Sequence, residues 1–253
     1  MAENPSALFD VEVIKSDMRK VAIVSDIHSN LPAFQAVLKD LQFREYDGII
    51  SLGDIVGYYT KPLEVLALVQ DLVDYNVMGN HDWAAVDLSN PLYQISRPQA
   101  QEALKFTHEL LTEEHKKWIL SLPLKAILDT PYGTVTLVHG HPKTLFDYIY
   151  GSTTEMFTQS IEDALDEVST DWLFVGHSHI QGIHRSESGK IFVNPGSVGQ
   201  PRDNDQRAAY AIVDLETKDV DLHRISYDVE DVIVDVLHCC LPESLGTRLR
   251  FGI

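Results

Sequence analysis

The first third of the chain alternates short apolar runs, rich in β-branched residues, with segments of helical periodicity. The predicted strands are residues 20–25, 48–52 and 75–78, and the predicted helices begin at Asn30-Leu31-Pro32 and at Leu63. A β-α-β-α-β alternation joins parallel strands through right-handed crossovers. The chain is therefore predicted to adopt an α/β fold.

The rest of the chain is richer in strands. The predicted strands are 125–130, 134–138, 172–175, 191–193, 208–214 and 220–226, and the predicted helices are 99–111, 113–120, 154–168 and 228–240. Two stacked sheets with helices outside would bury both sets of strands. No linker-like stretch divides residues 1–253, so we predict one domain, with residues 1–18 as an arm or extra edge element and 228–253 as a helical tail.

The chain is strongly acidic, with 20 Lys and Arg against 38 Asp and Glu and a net charge of −18. This balance argues against duplex nucleic acid and anionic membranes as partners, because both need clustered cations. An anionic substrate remains compatible, since a bound metal ion reverses the field locally. The two adjacent cysteines, Cys239 and Cys240, form no disulfide framework, and neither a signal pattern nor a membrane-length apolar run occurs. We predict a soluble cytoplasmic protein.

Polar clusters follow the apolar runs where predicted strands end. They are Asp26-Ile27-His28, Gly53-Asp54, Gly79-Asn80-His81-Asp82, His139-Gly140-His141, Gly176-His177-Ser178-His179 and Asn194-Pro195-Gly196-Ser197. These clusters hold six of the 11 histidines. Because the carboxyl ends of parallel strands share one edge of a sheet, clusters that are distant in sequence can converge there. Any single cluster is weak evidence, but the ordered set is specific.

The residue types indicate which ligand such an edge could bind. Carboxylate, imidazole and amide groups without thiolates suit Mn, Fe, Zn, Ni or Co. On an extended segment, Asp-x-His and His-x-His would point both side chains to the same face. The glycines before Asp54, Asn80 and His177 fit tight turns with close backbone approach.

The order of these motifs resembles that of the calcineurin-like metallophosphoesterase superfamily, in particular its small prokaryotic-type phosphodiesterase and phosphatase branch, over about residues 19–226. The resemblance implies a four-layer α/β/β/α sandwich of two stacked mixed sheets with flanking helices, and a centre of two divalent metal ions. It implies that one metal is held by Asp26, His28 and His179, the other by Asn80, His139 and His177, and that Asp54 bridges them. His81 matches the family's histidine near the leaving group, which is not a ligand.

The chemistry of these groups supports the implied roles. Two divalent ions polarise phosphoryl oxygens and generate hydroxide near neutral pH, and a carboxylate with two oxygens bridges well. In-line attack places negative charge on the leaving oxygen, where the His81 imidazole is a natural proton donor. Asp82 is a second catalytic candidate that could orient His81, or else a solvated turn carboxylate.

The sequence departs from the Ser/Thr protein phosphatase branch at one motif. There the Gly-Asp motif continues with an Asp-Arg pair, whereas here Gly57-Tyr58 follows. Arg202 and Arg207, just beyond the last cluster, are the candidates for a displaced phosphate clamp, with surface arginines as the alternative.

The sequence predicts a metal-dependent enzyme that hydrolyses phosphodiester or phosphomonoester bonds through a metal-bridging hydroxide. Its partners would be small phosphoesters or nucleotides, and a homo-oligomer is compatible with the sequence. The main alternative is a non-catalytic metal-binding scaffold of the same fold that acts through protein-protein interaction. A serine hydrolase acting through Ser178 is a weaker rival, because the segment lacks the second glycine of a nucleophile elbow.

Overall fold

The structure is a computed structural model that describes residues 11–150 and 155–253. In chain order the strands are β1 (Glu12–Lys15), β2 (Lys20–Val24), β3 (Gly48–Ser51), β4 (Tyr75–Asn76), β5 (Lys125–Thr130), β6 (Gly133–Val138), β7 (Trp172–Phe174), β8 (Gln181–Arg185), β9 (Ile191–Pro195), β10 (Ala208–Asp214) and β11 (Asp219–Ile225). The helices are α1 (Leu31–Leu41), α2 (Pro62–Leu72), α3 (Asn80–Val86), α4 (Pro91–Ile95), α5 (Pro98–Leu110), α6 (Glu113–Leu120), α7 (Glu155–Asp166), α8 (Val229–His238) and α9 (Glu243–Thr247), with a 3₁₀ helix at Arg248–Phe251.

The strands of the described residues form two mixed sheets. The five-stranded sheet has the order β11-β10-β2-β3-β4, and the six-stranded sheet has the order β1-β5-β6-β7-β9-β8. Strands β2, β3 and β4 are parallel, as are β6, β7 and β9. Each sheet thus contains a parallel block whose carboxyl ends lie at one edge.

Three apolar clusters define four layers. Between the sheets, Ile23, Leu52 and Val213 pack with Trp172 and Phe174 in one buried cluster. Helices α1 and α2 cover the outer face of the five-stranded sheet, and α7 covers the outer face of the six-stranded sheet. The predicted fold of two stacked mixed sheets flanked by helices is confirmed.

Helix α1 shows how local sequence produces this packing. The Asn30 side chain accepts a hydrogen bond from the Ala33 amide (3.2 Å), and Pro32 lies in the first turn. The apolar stripe of the helix buries Phe34 and Val37 against the sheet. The strand before α1 and the strand after it are therefore held side by side and parallel.

Strand β8 was not predicted from the sequence. It is an edge strand whose residues are half-buried or exposed, and Ile183 is its one large apolar residue, so it lacks the apolar run that marks a buried strand. Strand β1 lies within the predicted N-terminal arm and pairs in parallel with β5 at the opposite edge. Residues 1–10 of that arm, and the predicted start of helix 154–168, lie outside the described residues.

Of the helices that the structure describes, none is long and apolar enough to cross a membrane. The prediction that residues 1–253 form one domain stays a prediction.

Candidate metal centre

The clusters predicted from the sequence meet at the edge where the parallel strands end. Asp26 and Asp54 follow β2 and β3, Asn80 opens α3 after β4, and His139 and His177 follow β6 and β7. Two groups of side chains there have ligand atoms close enough to hold a metal ion: Asp26 with His28 and His179, and Asp54 with His139 and His177.

The first group is closed to solvent, since none of its residues is more than 2% exposed. Asp26 Oδ1 lies 3.1 Å from His179 Nε2 and 3.8 Å from His28 Nε2. The two imidazole Nε2 atoms are 3.2 Å apart. Three potential donor atoms therefore face one point.

The second group is arranged around His139. Its Nε2 atom lies 3.3 Å from Asp54 Oδ2, 3.1 Å from His177 Nδ1 and 3.1 Å from Asn80 Oδ1. His177 thus presents Nδ1 to the group, whereas the histidines of the first group present Nε2.

Asp54 lies between the two groups. Its Oδ2 atom is 3.6 Å from His28 Nε2 and 3.3 Å from His139 Nε2, while Oδ1 accepts a hydrogen bond from the His81 amide (2.8 Å). From the sequence, both oxygens of Asp54 were expected to contact the two metal ions. In the structure a single oxygen faces both groups, because the backbone of α3 holds the other.

The hydrogen bonds behind these atoms fit the residues to bound metal ions. His28, His139 and His179 lie with Nδ1 within hydrogen-bond distance of the Val56, Leu52 and Gln200 carbonyls, at 3.2, 2.7 and 2.5 Å. A proton on Nδ1 satisfies each carbonyl and leaves the Nε2 lone pair directed into the site, which is the usual support of a metal-bound histidine. Asp26 Oδ1 is buried with no hydrogen-bond partner among the described residues. A bound cation would satisfy these converging lone pairs.

The protonation states agree with this arrangement except at His139. Burial opposes protonation of His139, yet the negative charge of Asp54 outweighs it and raises the pKa of this ring to about 9, so His139 must lose a proton when a cation binds. Burial lowers the pKa of His28 and of His179, and it lowers that of His177 to about 3, so these rings are neutral near pH 7. Burial opposes ionisation of Asp54, yet the neighbouring histidines, His139 first, hold its pKa well below the usual range. Neutral imidazoles and ionised carboxylates are the forms that bind divalent cations.

The backbone of the motifs is bent rather than extended. Asp26, His28, Asp54, His177 and His179 all have left-handed φ angles between 52° and 63°. The expectation that Asp-x-His and His-x-His lie on extended segments is therefore wrong. Their side chains converge because the chain reverses directly after each strand, and such conformations cluster at functional sites, where the surrounding structure enforces them.

The expected close approach at the glycines is confirmed by their surroundings. A Cβ atom on Gly79 would lie 2.1 Å from Asp54 Oδ1, and one on Gly176 would lie 1.9 Å from Ser25 Oγ. Any side chain at either position would displace a carboxylate of the site or its supporting hydroxyl.

His81 lies beside the two groups without belonging to either. Its ring is 4.8 Å from that of His28 and 4.5 Å from that of Tyr58, measured between centroids. Burial lowers its pKa to about 4, and Nδ1 has no hydrogen-bond partner among the described residues. Gly57 packs against this ring, since a Cβ there would be 2.8 Å from Nδ1. The ring is held by packing and by the backbone of α3.

Asp82 does not orient His81 through a hydrogen bond. Its two oxygens accept hydrogen bonds from the Val56 and Gly79 amides, each at 3.0 Å. It is fully buried, so the reading as a solvated turn carboxylate is also wrong. Burial, with the negative charge of Asp54, raises its pKa to about 7. Asp82 ties the loop after β3 to the start of α3.

The two candidate arginines have different surroundings. Arg202 lines a cavity of about 740 Å³ together with Asn80, His81 and His177. Its Nη2 donates to Tyr58 Oη (3.2 Å) and to Gln200 Oε1 (2.8 Å). It thereby reaches the residue that stands where the protein phosphatase branch carries its arginine.

Arg207 is exposed and does not line this cavity. Its guanidinium is paired with Asp205 at 2.6 Å within the same loop. The structure therefore contradicts the expectation that Arg207 clamps phosphate, because its guanidinium lies outside the cavity and already forms an ion pair with Asp205.

Several residues around the site were not assigned a role from the sequence. Asn194 and Ser197 brace the motif loops: Asn194 Nδ2 donates to the Gly176 carbonyl and Ser197 Oγ to the Asp26 carbonyl, each at 2.8 Å. The sequence did contain a signal for Asn194 and Ser197, since both belong to the sixth polar cluster. Arg97 and Arg248 line the cavity from the start of α5 and the C-terminal segment, and nothing in their local sequence indicated it.

The fold and the paired ligand groups define a class of protein. Residues 19–218 match the model of the calcineurin-like phosphoesterase superfamily domain, so the chain belongs to this superfamily.

The relatives of the chain support this membership. It is 34% identical over 250 residues to the uncharacterized protein MJ0912 of Methanocaldococcus jannaschii, covering 92% of this chain and 98% of that protein. The crystal structure of a metallophosphoesterase from Sphaerobacter thermophilus is 34% identical, with a TM-score of 0.77 over 94% of this chain and all of that one. The structure of the hypothetical protein PH1004 from Pyrococcus horikoshii OT3 has 23% identity and a TM-score of 0.82, covers 92% and 98% of the two chains, and shows the same fold.

Proposed function

We propose that this protein is a dinuclear metal-dependent phosphoesterase acting on small phosphodiesters or phosphomonoesters. One observation carries the proposal: two groups of buried metal-ligand side chains meet at Asp54 Oδ2, beside an open cavity. Two divalent transition-metal ions bound there would polarise the phosphoryl oxygens and supply a hydroxide nucleophile. Asp26, His28 and His179 would hold one ion, Asn80, His139 and His177 the other, and Asp54 both.

His81 is the residue we assign to protonation of the leaving oxygen. It borders the cavity, and the ring cannot swing away because Tyr58 and Gly57 pack against it. Burial lowers its pKa to about 4, and the negative charge of a bound phosphoryl group would raise that pKa and favour the protonated ring. Its amide is bound to Asp54 Oδ1, so the imidazole is placed in fixed relation to the bridging carboxylate. Asp82 acts as a positioning residue, because both of its oxygens are occupied by backbone amides.

Arg202 is the residue we assign to the non-reacting phosphoryl oxygens. Gln200 connects it to the first ligand group, because the Gln200 carbonyl accepts from His179 and the Gln200 side chain accepts from Arg202. A guanidinium fixed in this way can form paired hydrogen bonds to phosphate. The net charge of −18 favours small substrates over polynucleotides, since repulsion from the surface grows with substrate length.

A cytoplasmic location and a chain of one domain remain proposals. Cys239 and Cys240 form no disulfide bond, as the reducing compartment would require. Both proposals are independent of the chemistry of the site.

Metal analysis combined with a substrate panel tests the proposed function. We expect about two transition-metal ions per chain, hydrolysis of at least one of 4-nitrophenyl phosphate and bis(4-nitrophenyl) phosphate, and loss of activity in excess chelator that added Mn²⁺, Fe²⁺ or Zn²⁺ restores. Full activity without metal would overturn the mechanism and favour a serine hydrolase. Bound metal with no hydrolysis of any phosphoester, nucleotides included, would favour the scaffold.

A further inference from the structure

Three arginines without an Asp or Glu ion pair among the described residues line the cavity beside the metal centre. The chain has nine arginines, and five of them, Arg19, Arg44, Arg207, Arg224 and Arg250, lie within 4 Å of a carboxylate. Of the other four, Arg97, Arg202 and Arg248 all line this cavity. The chain has 38 acidic residues, yet these three arginines form no ion pair with Asp or Glu among the described residues. Their position on one cavity suggests that they bind an anion there.

Arg248 is under the electrostatic influence of both other arginines of the cavity. Burial lowers the pKa of Arg248 below its usual range, and the positive charge of Arg202 lowers it further, with a smaller effect from Arg97. Arg248 is half-buried and is anchored by a hydrogen bond to the Ile253 carbonyl. Gathering like charges in a partly buried space costs free energy that a bound anion recovers.

One phosphate does not account for all three. Arg202 is bound to Tyr58 and Gln200 next to the metal ligands, where it can reach the reacting phosphate. Arg97 stands at the start of α5 and Arg248 follows α9, so both lie on chain segments other than the loop after β9 that carries Arg202. Asp147, the carboxylate among the lining residues, is exposed and lies within 4 Å of none of these arginines.

A column of aromatic rings lies on the same cavity. The Tyr148 ring stacks on the His177 imidazole, with centroids 3.9 Å apart and 16° between planes, and on Tyr150 at 5.4 Å and 8°. Tyr148 is stacked on a ring at either side, so a planar ligand would stack on Tyr150, the ring at the end of the column, which is 37% exposed. Such rings stack on planar groups such as nucleobases.

We propose that Arg97 and Arg248 form a second anion subsite, and that the preferred substrates are small phosphoesters carrying a second phosphate group that does not react. This inference rests on the proposed function, because it names the substrate class of the same site. A nucleotide and a sugar phosphate share this chemistry, and the aromatic column favours the nucleotide.

Binding of matched ligand pairs to the metal-loaded protein tests the proposal. Titration calorimetry would compare adenosine 5′-monophosphate with adenosine 3′,5′-bisphosphate, and glucose 6-phosphate with glucose 1,6-bisphosphate. We expect the bisphosphate of at least one pair to bind about tenfold tighter or more, and this ratio to fall with added salt. A gain in the nucleotide pair alone supports the aromatic column as a base platform, and an equal gain in both pairs supports the phosphate subsite alone.

The variants Arg97→Gln and Arg248→Gln should each reduce the ratio of bisphosphate to monophosphate affinity by about tenfold. Arg185→Gln is the matched control, because Arg185 also lacks a carboxylate partner among the described residues but donates to the Lys218 carbonyl outside the cavity. Equal affinities within both ligand pairs, or a ratio unchanged in both cavity variants, would overturn the subsite. The affinities are measured with His81→Asn as the background, in which turnover is slow, so this failure is distinct from an absence of phosphoester hydrolysis by the wild-type protein, which would overturn the proposed function.

Discussion

The two ligand groups of the candidate centre differ in their access to solvent. Asp26, His28 and His179 are sealed inside the fold, whereas Asn80 and His177 of the other group form part of the cavity wall. Both histidines of the sealed group have Nδ1 at a backbone carbonyl, while His177 has Nε2 buried without a partner among the described residues and its ring stacked on Tyr148.

The difference indicates separate roles for the two groups: the sealed group retains its metal ion, and the group at the cavity presents its ion to the substrate. The sealed group is preorganised by contacts within the protein, so we expect it to bind its ion tightly and exchange it slowly. The group at the cavity has fewer supporting contacts and faces the space where substrate enters. We expect its ion to exchange first and to contact the substrate directly.

The largest effect should come from removing the residue common to both groups. Asp54→Asn keeps an oxygen for the His81 amide but removes the negative charge that faces His28 and His139. We expect activity to fall about 10⁴-fold and the metal content to fall for both ions, since metal-ion catalysis contributes several kcal/mol. Asp26→Asn should do less damage to the second ion. If Asp54→Asn retained both ions by elemental analysis, the shared position of Asp54 would be wrong.

Replacing His81 should separate chemistry from metal binding. His81→Asn should keep both ions and lose about 10²–10⁴-fold in turnover for substrates with an alkoxide-like leaving group. The loss should be much smaller for an activated aryl ester, whose phenolate leaves without a proton. The paired rate ratios are the measurement, with metal analysis of the variant as the control. Equal losses on both substrates, or a missing ion, would return His81 to a ligand or structural role.

Matched replacements of one ligand in each group test whether the two groups differ in metal exchange. His177→Asn should weaken one ion by about 10²-fold and leave the other bound, whereas His28→Asn should disturb the sealed group and lower the melting temperature as well. The measurement is metal release over time in dilute chelator. The wild-type protein should lose its ions in two phases, and His177→Asn should lack the faster phase, which comes from the cavity side. A single phase in the wild type would show that the two groups are equivalent.

The smallest expected effect distinguishes the two arginines near the last motif. Arg202→Gln should raise KM about tenfold or more, because the guanidinium held by Gln200 and Tyr58 faces the cavity. Arg207→Gln should change kcat/KM by less than about twofold, since Arg207 is paired with Asp205 on the surface. A larger effect at Arg207 than at Arg202 would reverse this assignment.

Much of the fold could be predicted from the sequence because its signals are local. The apolar runs of β2, β3 and β7 are buried on both faces and carry no polar residue except at their ends, so their strands and the order of the motifs could be predicted without tertiary contacts. Strand β8 was not predicted, because an edge strand needs no apolar run.

The site divides in the same way. The sequence by itself determined which residue types stand at the strand ends, and parallel pairing made their convergence at one edge a geometric consequence. Only the tertiary structure decided which atoms they present. The left-handed turn at Asp26 and the amide of His81 at Asp54 determine which carboxylate oxygen is free, and these contacts join residues 27 to 151 positions apart. Arg97 and Arg248 line the cavity because segments distant in the chain pack together there, which no local pattern shows. Arg207 does not line it and is paired instead with Asp205, two residues earlier in the chain.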